Sequence, residues 1–140
     1  MPLERILYVE DDNDIREVVG MALGDVGGLE VCLCASGGEA VQKAEAFAPD
    51  LIMLDVMMPD MDGPATLSAL RKLPSLGQVP VVFMTAKVQP SEVAEFLSLG
   101  AVDVVAKPFD PMTLAQSLRN IWARLERAAG RSNTAGEADG

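Results

Sequence analysis

The chain has 140 residues, 49% of them hydrophobic and only 4% aromatic, and carries a formal net charge of −10 from 21 acidic and 11 basic side chains. That length suits one domain with an aliphatic core. The charge excludes the basic face that nucleic acid or an anionic membrane surface requires.

The first apolar run, Ile6-Leu7-Tyr8-Val9, is too short for a signal peptide and ends in Glu10-Asp11-Asp12. No stretch is long enough to span a membrane, so a cytoplasmic protein is expected. Residues 5–9 read as a strand. Ile15, Val18, Val19, Ala22, Leu23 and Val26 then recur at helical spacing. Asp14-x-x-Glu17 has the spacing of a capping box at the start of that helix, and Gly27-Gly28 marks its end. A second strand at 29–33 carries Cys32, with Cys34 beside it. Two cysteines at alternate positions of one strand cannot bridge without distortion and are too few for a metal site, so they read as small buried hydrophobes. Ser36-x-x-Glu39 opens the next helix.

The third strand, Leu51-Ile52-Met53-Leu54, is solidly apolar and runs into Asp55, then into a loop punctuated by Pro59 and Gly63. A fourth, 81–84, ends in Thr85, and a fifth, 102–106, ends in Lys107-Pro108. A helix of residues 91–99, closed by Gly100, lies between them. Asp110-Pro111 places a capping acid before a proline at the first position of a last helix, whose apolar stripe is Leu114, Leu118, Ile121, Trp122 and Leu125. From Ala128 the residues turn small and polar, which predicts a domain over 1–127 and a disordered tail over 128–140. The tail is too short for an output domain, so the chain is expected to work alone.

Five alternations of strand and helix with short connections predict a doubly wound α/β fold with a parallel sheet and helices on both faces. Ligands of such sheets sit beyond the carboxyl ends of the strands. Glu10, Asp11, Asp55, Thr85 and Lys107 all fall there. Two carboxylates about 5 Å apart repel by roughly 3 kcal/mol at an effective dielectric near 20. The acids must therefore take up protons or share a divalent cation. A hard cation with oxygen ligands, Mg²⁺ or Mn²⁺, fits such a set. Asp12 and Asp14 read as loop and helix-cap residues.

Acids after strand one, an aspartate before a Pro and Gly after strand three, Thr85-Ala86 after strand four and Lys107-Pro108-Phe109 after strand five occur in that order. With this pattern the chain, over about residues 3–125, resembles the receiver domain of bacterial two-component response regulators. The resemblance implies a flavodoxin-like five-stranded sheet in the order 2-1-3-4-5. It implies that Asp55 is the nucleophile that takes a phosphoryl group. Asp11, Asp55 and the backbone carbonyl of Met57 would bind the metal, with Glu10 acting through water. Lys107 and Thr85, the latter with the Ala86 N–H, would hold phosphoryl oxygens. A cis Lys107–Pro108 bond would aim the lysine inward.

The chain contains no histidine. This excludes a phosphohistidine donor role and Ser-His-Asp or Cys-His machinery, so the phosphoryl group must come from a histidine kinase, a histidine phosphotransferase or a small acyl phosphate. Such a domain catalyses its own phosphorylation and dephosphorylation without being a turnover enzyme. A downstream protein target and a monomer or weak dimer are expected. Two other readings stand beside this one. A phosphorylation-independent pseudo-receiver would have no need of the full residue set. A metal-dependent phosphohydrolase or nuclease with an aspartyl nucleophile usually has a second Asp two residues on, where this chain has Met57. Asp60-Met61-Asp62-Gly63 resembles the start of a calcium loop but lacks the following glutamate. Val104 occupies the strand-five position that often holds a switch aromatic. The shape change is therefore expected in the loop after Thr85 and the helix 91–99, with Val104 only repacking.

Overall fold

The five aliphatic runs are strands because their side chains find a helix layer on each face. In the computed structural model, which describes residues 1–130 in full and only the backbone of 131–139, they are β1 (Arg5–Val9), β2 (Glu30–Cys34), β3 (Leu51–Asp55), β4 (Val81–Thr85) and β5 (Asp103–Ala106). All pair in parallel in the order β2-β1-β3-β4-β5, the doubly wound, flavodoxin-like arrangement expected. Every residue of β3 and β4 is buried, as continuous apolar composition demands of central parallel strands.

The helices are α1 (Asn13–Gly20), α2 (Gly37–Phe47), α3 (Gly63–Arg71), α4 (Pro90–Ser98) and α5 (Leu114–Asp139). A π-helical segment, Met21–Val26, continues α1, and a 3₁₀ turn, Pro74–Leu76, follows α3. Alternation along the strands sorts the core into two layers. Ile6, Tyr8, Met53, Val82 and Met84 pack with residues of α1, the π-helical segment and α5. Leu7, Val9, Ile52, Leu54 and Phe83 pack with α2, α3 and α4.

Several boundaries differ from the sequence expectations, each for a local reason. Asp12, not Asp14, caps α1: its Oδ1 accepts the Asp14 and Ile15 N–H groups at 2.9 and 3.1 Å. Ser36 caps α2 as expected, accepting the Glu39 N–H at 3.1 Å, but the Glu39 carboxylate reaches back to the Ala35 N–H, not to that of Ser36. The Asp110 carboxylate accepts the Met112 N–H at 2.9 Å and so stabilises a turn, and α5 begins only at Leu114. Its backbone stays helical through residues 128–130, and the rest of the expected tail, 131–140, lies outside the fully described residues. Cys32 and Cys34 are free thiols, with burial pushing Cys34 up to about 12. Among the described residues no helix is long and apolar enough to cross a membrane.

One glycine is decisive for the site. A Cβ on Gly63, the first residue of α3, would lie 2.8 Å from the Asp55 carbonyl oxygen and 2.9 Å from Val56 Cα. Both are backbone atoms, and the Gly63 N–H donates to the Val56 carbonyl at 2.9 Å, so the loop after β3 closes only around a bare Cα. Gly63→Ala is expected to cost about 1–3 kcal/mol in urea unfolding, the range for overpacking. Gly38→Ala, whose Cβ would meet nothing closer than 4.0 Å, should leave the midpoint unchanged or slightly raised.

Candidate functional site

Parallel register brings the strand ends to one level. Val9 pairs with Leu54, Asp55 with Met84 and Thr85 with Ala106, so the residues that follow emerge side by side at one edge of the sheet. The Lys107 N–H extends the β5 ladder by donating to the Thr85 carbonyl at 2.9 Å, and the Lys107–Pro108 bond is cis.

All the sequence-selected residues meet there. Lys107 Nζ donates to Glu10 Oε1 at 2.8 Å and to Asp55 Oδ1 at 2.9 Å, joining the ends of β1, β3 and β5. One carboxylate oxygen from each of Glu10, Asp11 and Asp55 lies within 4.8 Å of the others. Glu10 and Asp55 are buried, 1% and 4% exposed, while Asp11 faces solvent. Asp11, Asp55, Met57, Thr85, Ala86 and Lys107 line a cleft of about 290 Å³ over this cluster, and the Met57 side chain points outward at 69% exposure. Thr85 is buried, and its hydroxyl oxygen accepts the Lys87 N–H at 3.1 Å. Three carboxylates converging on an open cleft form an all-oxygen donor set, which suits a small hard cation.

The charges are unevenly held. Burial raises the Asp55 carboxyl to about 6 against Lys107, which lowers it, while the neighbouring Glu10 adds to the rise. Burial also pushes Glu10 up, yet hydrogen bonds from Lys107 and Tyr8 leave it below the ordinary range. Lys107 is pulled down by burial but held above its ordinary value by its two carboxylate partners. The cluster therefore has one firmly ionised acid, Glu10, and one strained acid, Asp55.

Two neighbours escaped the sequence reading. The fully buried Tyr8 donates its hydroxyl to Glu10 Oε1 at 2.9 Å; its position two residues before Glu10, on the same strand face, was the available signal. Arg16 Nη1 donates to the Glu10 carbonyl at 2.8 Å, one helical turn beyond the Asp12 cap, where nothing in the sequence marks it.

The chain matches the family described as response regulator receiver domain over residues 6–119. Among solved structures, chemotaxis protein CheY4 of Vibrio cholerae superimposes with a TM-score of 0.78 at 34% identity, covering 85% of this chain and 98% of that one. A putative response regulator from Chloroflexus aurantiacus gives 0.76 at 33%, covering 88% and 99%. The transcriptional regulatory protein CseB of Streptomyces coelicolor is 35% identical over 131 residues, which is 94% of this chain and 54% of that protein. The chain spans about half the length of the curated relatives it matches. It belongs to the response regulator receiver family.

The unequal ionisation has a measurable consequence. With a folded value near 6 against an ordinary 3.8, Asp55 contributes stability that is fully present below about 3.8 and is lost as pH rises through about 6. Glu10, shifted the other way, acts only below its ordinary 4.5, so above that value the loss belongs to Asp55. In chelator, urea unfolding of the parent should show stability falling between about pH 4 and 6.5 by on the order of 2 kcal/mol relative to Asp55→Asn. Parallel profiles for the two proteins would contradict a strained Asp55.

Proposed function

We propose that this receiver domain is a switch in which Asp55 accepts a phosphoryl group in a Mg²⁺-dependent reaction and signals to a protein partner. The observation that supports it most directly is the Lys107 ammonium held between Glu10 and Asp55 over the acidic cleft. A carboxylate oxygen of Asp55 attacks phosphorus in line, the bond from phosphorus to the donor breaks, and an acyl phosphate forms. Asp11, Asp55 and the Met57 carbonyl, with Glu10 through water, would hold a Mg²⁺ or Mn²⁺ ion, which would neutralise one phosphoryl oxygen. Lys107 turns from Asp55 to a second oxygen, and the Thr85 hydroxyl with the Ala86 N–H receives a third.

No histidine is present, so the donor is external. Beside the cleft, Ile15, Val18, Pro108, Phe109 and Pro111 line an apolar groove of about 470 Å³. This groove suits the apolar face of a phosphohistidine-bearing helix of a kinase or phosphotransferase. Relatives named as transcriptional regulators are longer than this chain, which matches about half of each. The output of this chain is read as contact with another protein, in keeping with its acidity. A cytoplasmic location belongs to the same reading.

The switch runs through Thr85. Its oxygen already holds the Lys87 N–H, so a phosphoryl group that recruits the hydroxyl proton draws on the same side chain that positions the next loop. Beyond that loop α4 has no buried residue, and it meets the core through Phe96, edge-on to Phe83 with ring centroids 5.3 Å apart. A helix held this lightly opens at low cost. Val104 is half-buried beside the same cluster.

Incubation with acetyl phosphate and Mg²⁺ should add one phosphoryl-sized mass to the parent and none to Asp55→Asn. Lys107→Ala should still bind Mg²⁺ but label about 100-fold more slowly, the scale of losing one donor to transition-state charge. Absence of labelling in a folded, Mg²⁺-binding parent would transfer the protein to the phosphorylation-independent interaction modules. In NMR spectra, beryllofluoride with Mg²⁺ should shift amides across residues 86–100 strongly and Val104 weakly. An unperturbed 86–100 segment defeats the proposed route.

A further inference from the structure

Tyr8 is the chain's one tyrosine, and it lies under the acidic cluster with no exposed surface. The β-sheet register places it in the row of Met53 and Val82, two residues before the row of Asp55 and Met84, on the same face as Glu10. An apolar side chain of the same volume would fill that space equally well. A buried phenol must instead find a partner, and this one has two neighbours: Glu10 Oε1 at 2.9 Å and Met84 Sδ at 3.4 Å. Sulfur is a weak acceptor and the carboxylate a strong one, so the hydroxyl proton belongs to Glu10.

The two oxygens of Glu10 are thereby made unlike. Oε1 receives both Tyr8 and Lys107, while Oε2 receives only the Asp12 N–H at 3.3 Å. We propose that Tyr8 is a positioning residue of the phosphoacceptor site: its hydroxyl fixes the Glu10 carboxylate with Oε2 turned to the cation side and holds Oε1 when Lys107 swings to a phosphoryl oxygen. This rests on the phosphoacceptor reading above. Without the phenol, Oε1 has Lys107 as its single strong donor. The lysine is then retained by Glu10, and the carboxylate is free to rotate once the lysine leaves.

Tyr8→Phe keeps the ring and deletes one hydrogen bond. Mg²⁺ affinity by calorimetry and beryllofluoride affinity by NMR should each fall about tenfold, the scale of one bond to a charged acceptor. In a Glu10→Gln background the same change should cost less than twofold, since Tyr8 acts through the Glu10 charge. The unaltered protein gives an independent readout, because ¹³C-labelled tyrosine yields one ring signal. That signal should move with the Mg²⁺ and beryllofluoride titrations at the same midpoints as the backbone of Asp55. A parent that binds both ligands, with Tyr8→Phe within twofold of it or a static tyrosine signal, overturns the role of Tyr8 alone. A parent that binds neither overturns the phosphoacceptor reading as well. A lowered melting temperature with unchanged affinities identifies Tyr8 as core filling only and also overturns the proposal.

Discussion

One ammonium group holds this site together. Lys107 reaches two buried carboxylates from the far side of the sheet, and the ends of three strands are tied through its Nζ. Removing one partner from such a bond is costly, because the remaining buried charge loses its compensation. The bond is nevertheless unequal. Glu10 is also supported by Tyr8 and the Asp12 N–H, whereas Asp55 sits raised by burial and by Glu10 beside it. The acid proposed to accept the phosphoryl group is the one this arrangement stabilises least, as suits a group that would be converted into something else.

The strand ends determine where that inequality lies, and they were legible because composition is unambiguous there. β3 and β4 are solidly apolar, so a polar residue at the end of either run had to mark the sheet's edge. The same logic found Glu10 and Lys107. Connecting the sites needed only the parallel topology, which alternation of strand and helix predicts. What could not be read was any feature decided by competition between local partners. Asp12 and Asp14 are both capping residues by type, and only backbone geometry shows that Asp12 takes the N–H groups. Asp110-Pro111 has the chemistry of a helix start, but Asp110 spends its carboxylate on a turn. Lys107 looked like a cation held ready for phosphate; its ammonium is already engaged twice, by Glu10 and Asp55. The Tyr8 bond was hidden because a tyrosine among Ile6, Leu7 and Val9 reads as core.

Packing around the site is as uneven as its charges. β1 and β3 are clamped between two helix layers, and Gly63 brings the start of α3 against the backbone of Asp55. On the other side, Thr85 leads into residues 86–89 and then α4, none of whose side chains is buried. Asp55 thus stands on the rigid part of the fold and Thr85 leads into the compliant part. A displacement at the cleft is taken up where fewest buried contacts oppose it.

On the proposed phosphoacceptor function, charge accounting gives the direction of the response. Glu10, Asp11, Asp55 and Lys107, all ionised, leave two negative charges, which one divalent cation would balance. Phosphorylation replaces the single charge of Asp55 by about two on the phosphoryl oxygens, so the neutralised cluster gains roughly one negative charge. Glu10 and Asp11 cannot answer it, being anions themselves. Lys107 answers in part, but only by leaving a carboxylate. The remaining donors lie on the β4 side, at the Thr85 hydroxyl and the Ala86 N–H, and these belong to the loop that carries α4. In the proposed switch the excess charge would be drawn to the side of the cleft that yields, and a chemical mark on a rigid strand would thereby become a movement of a loosely held helix.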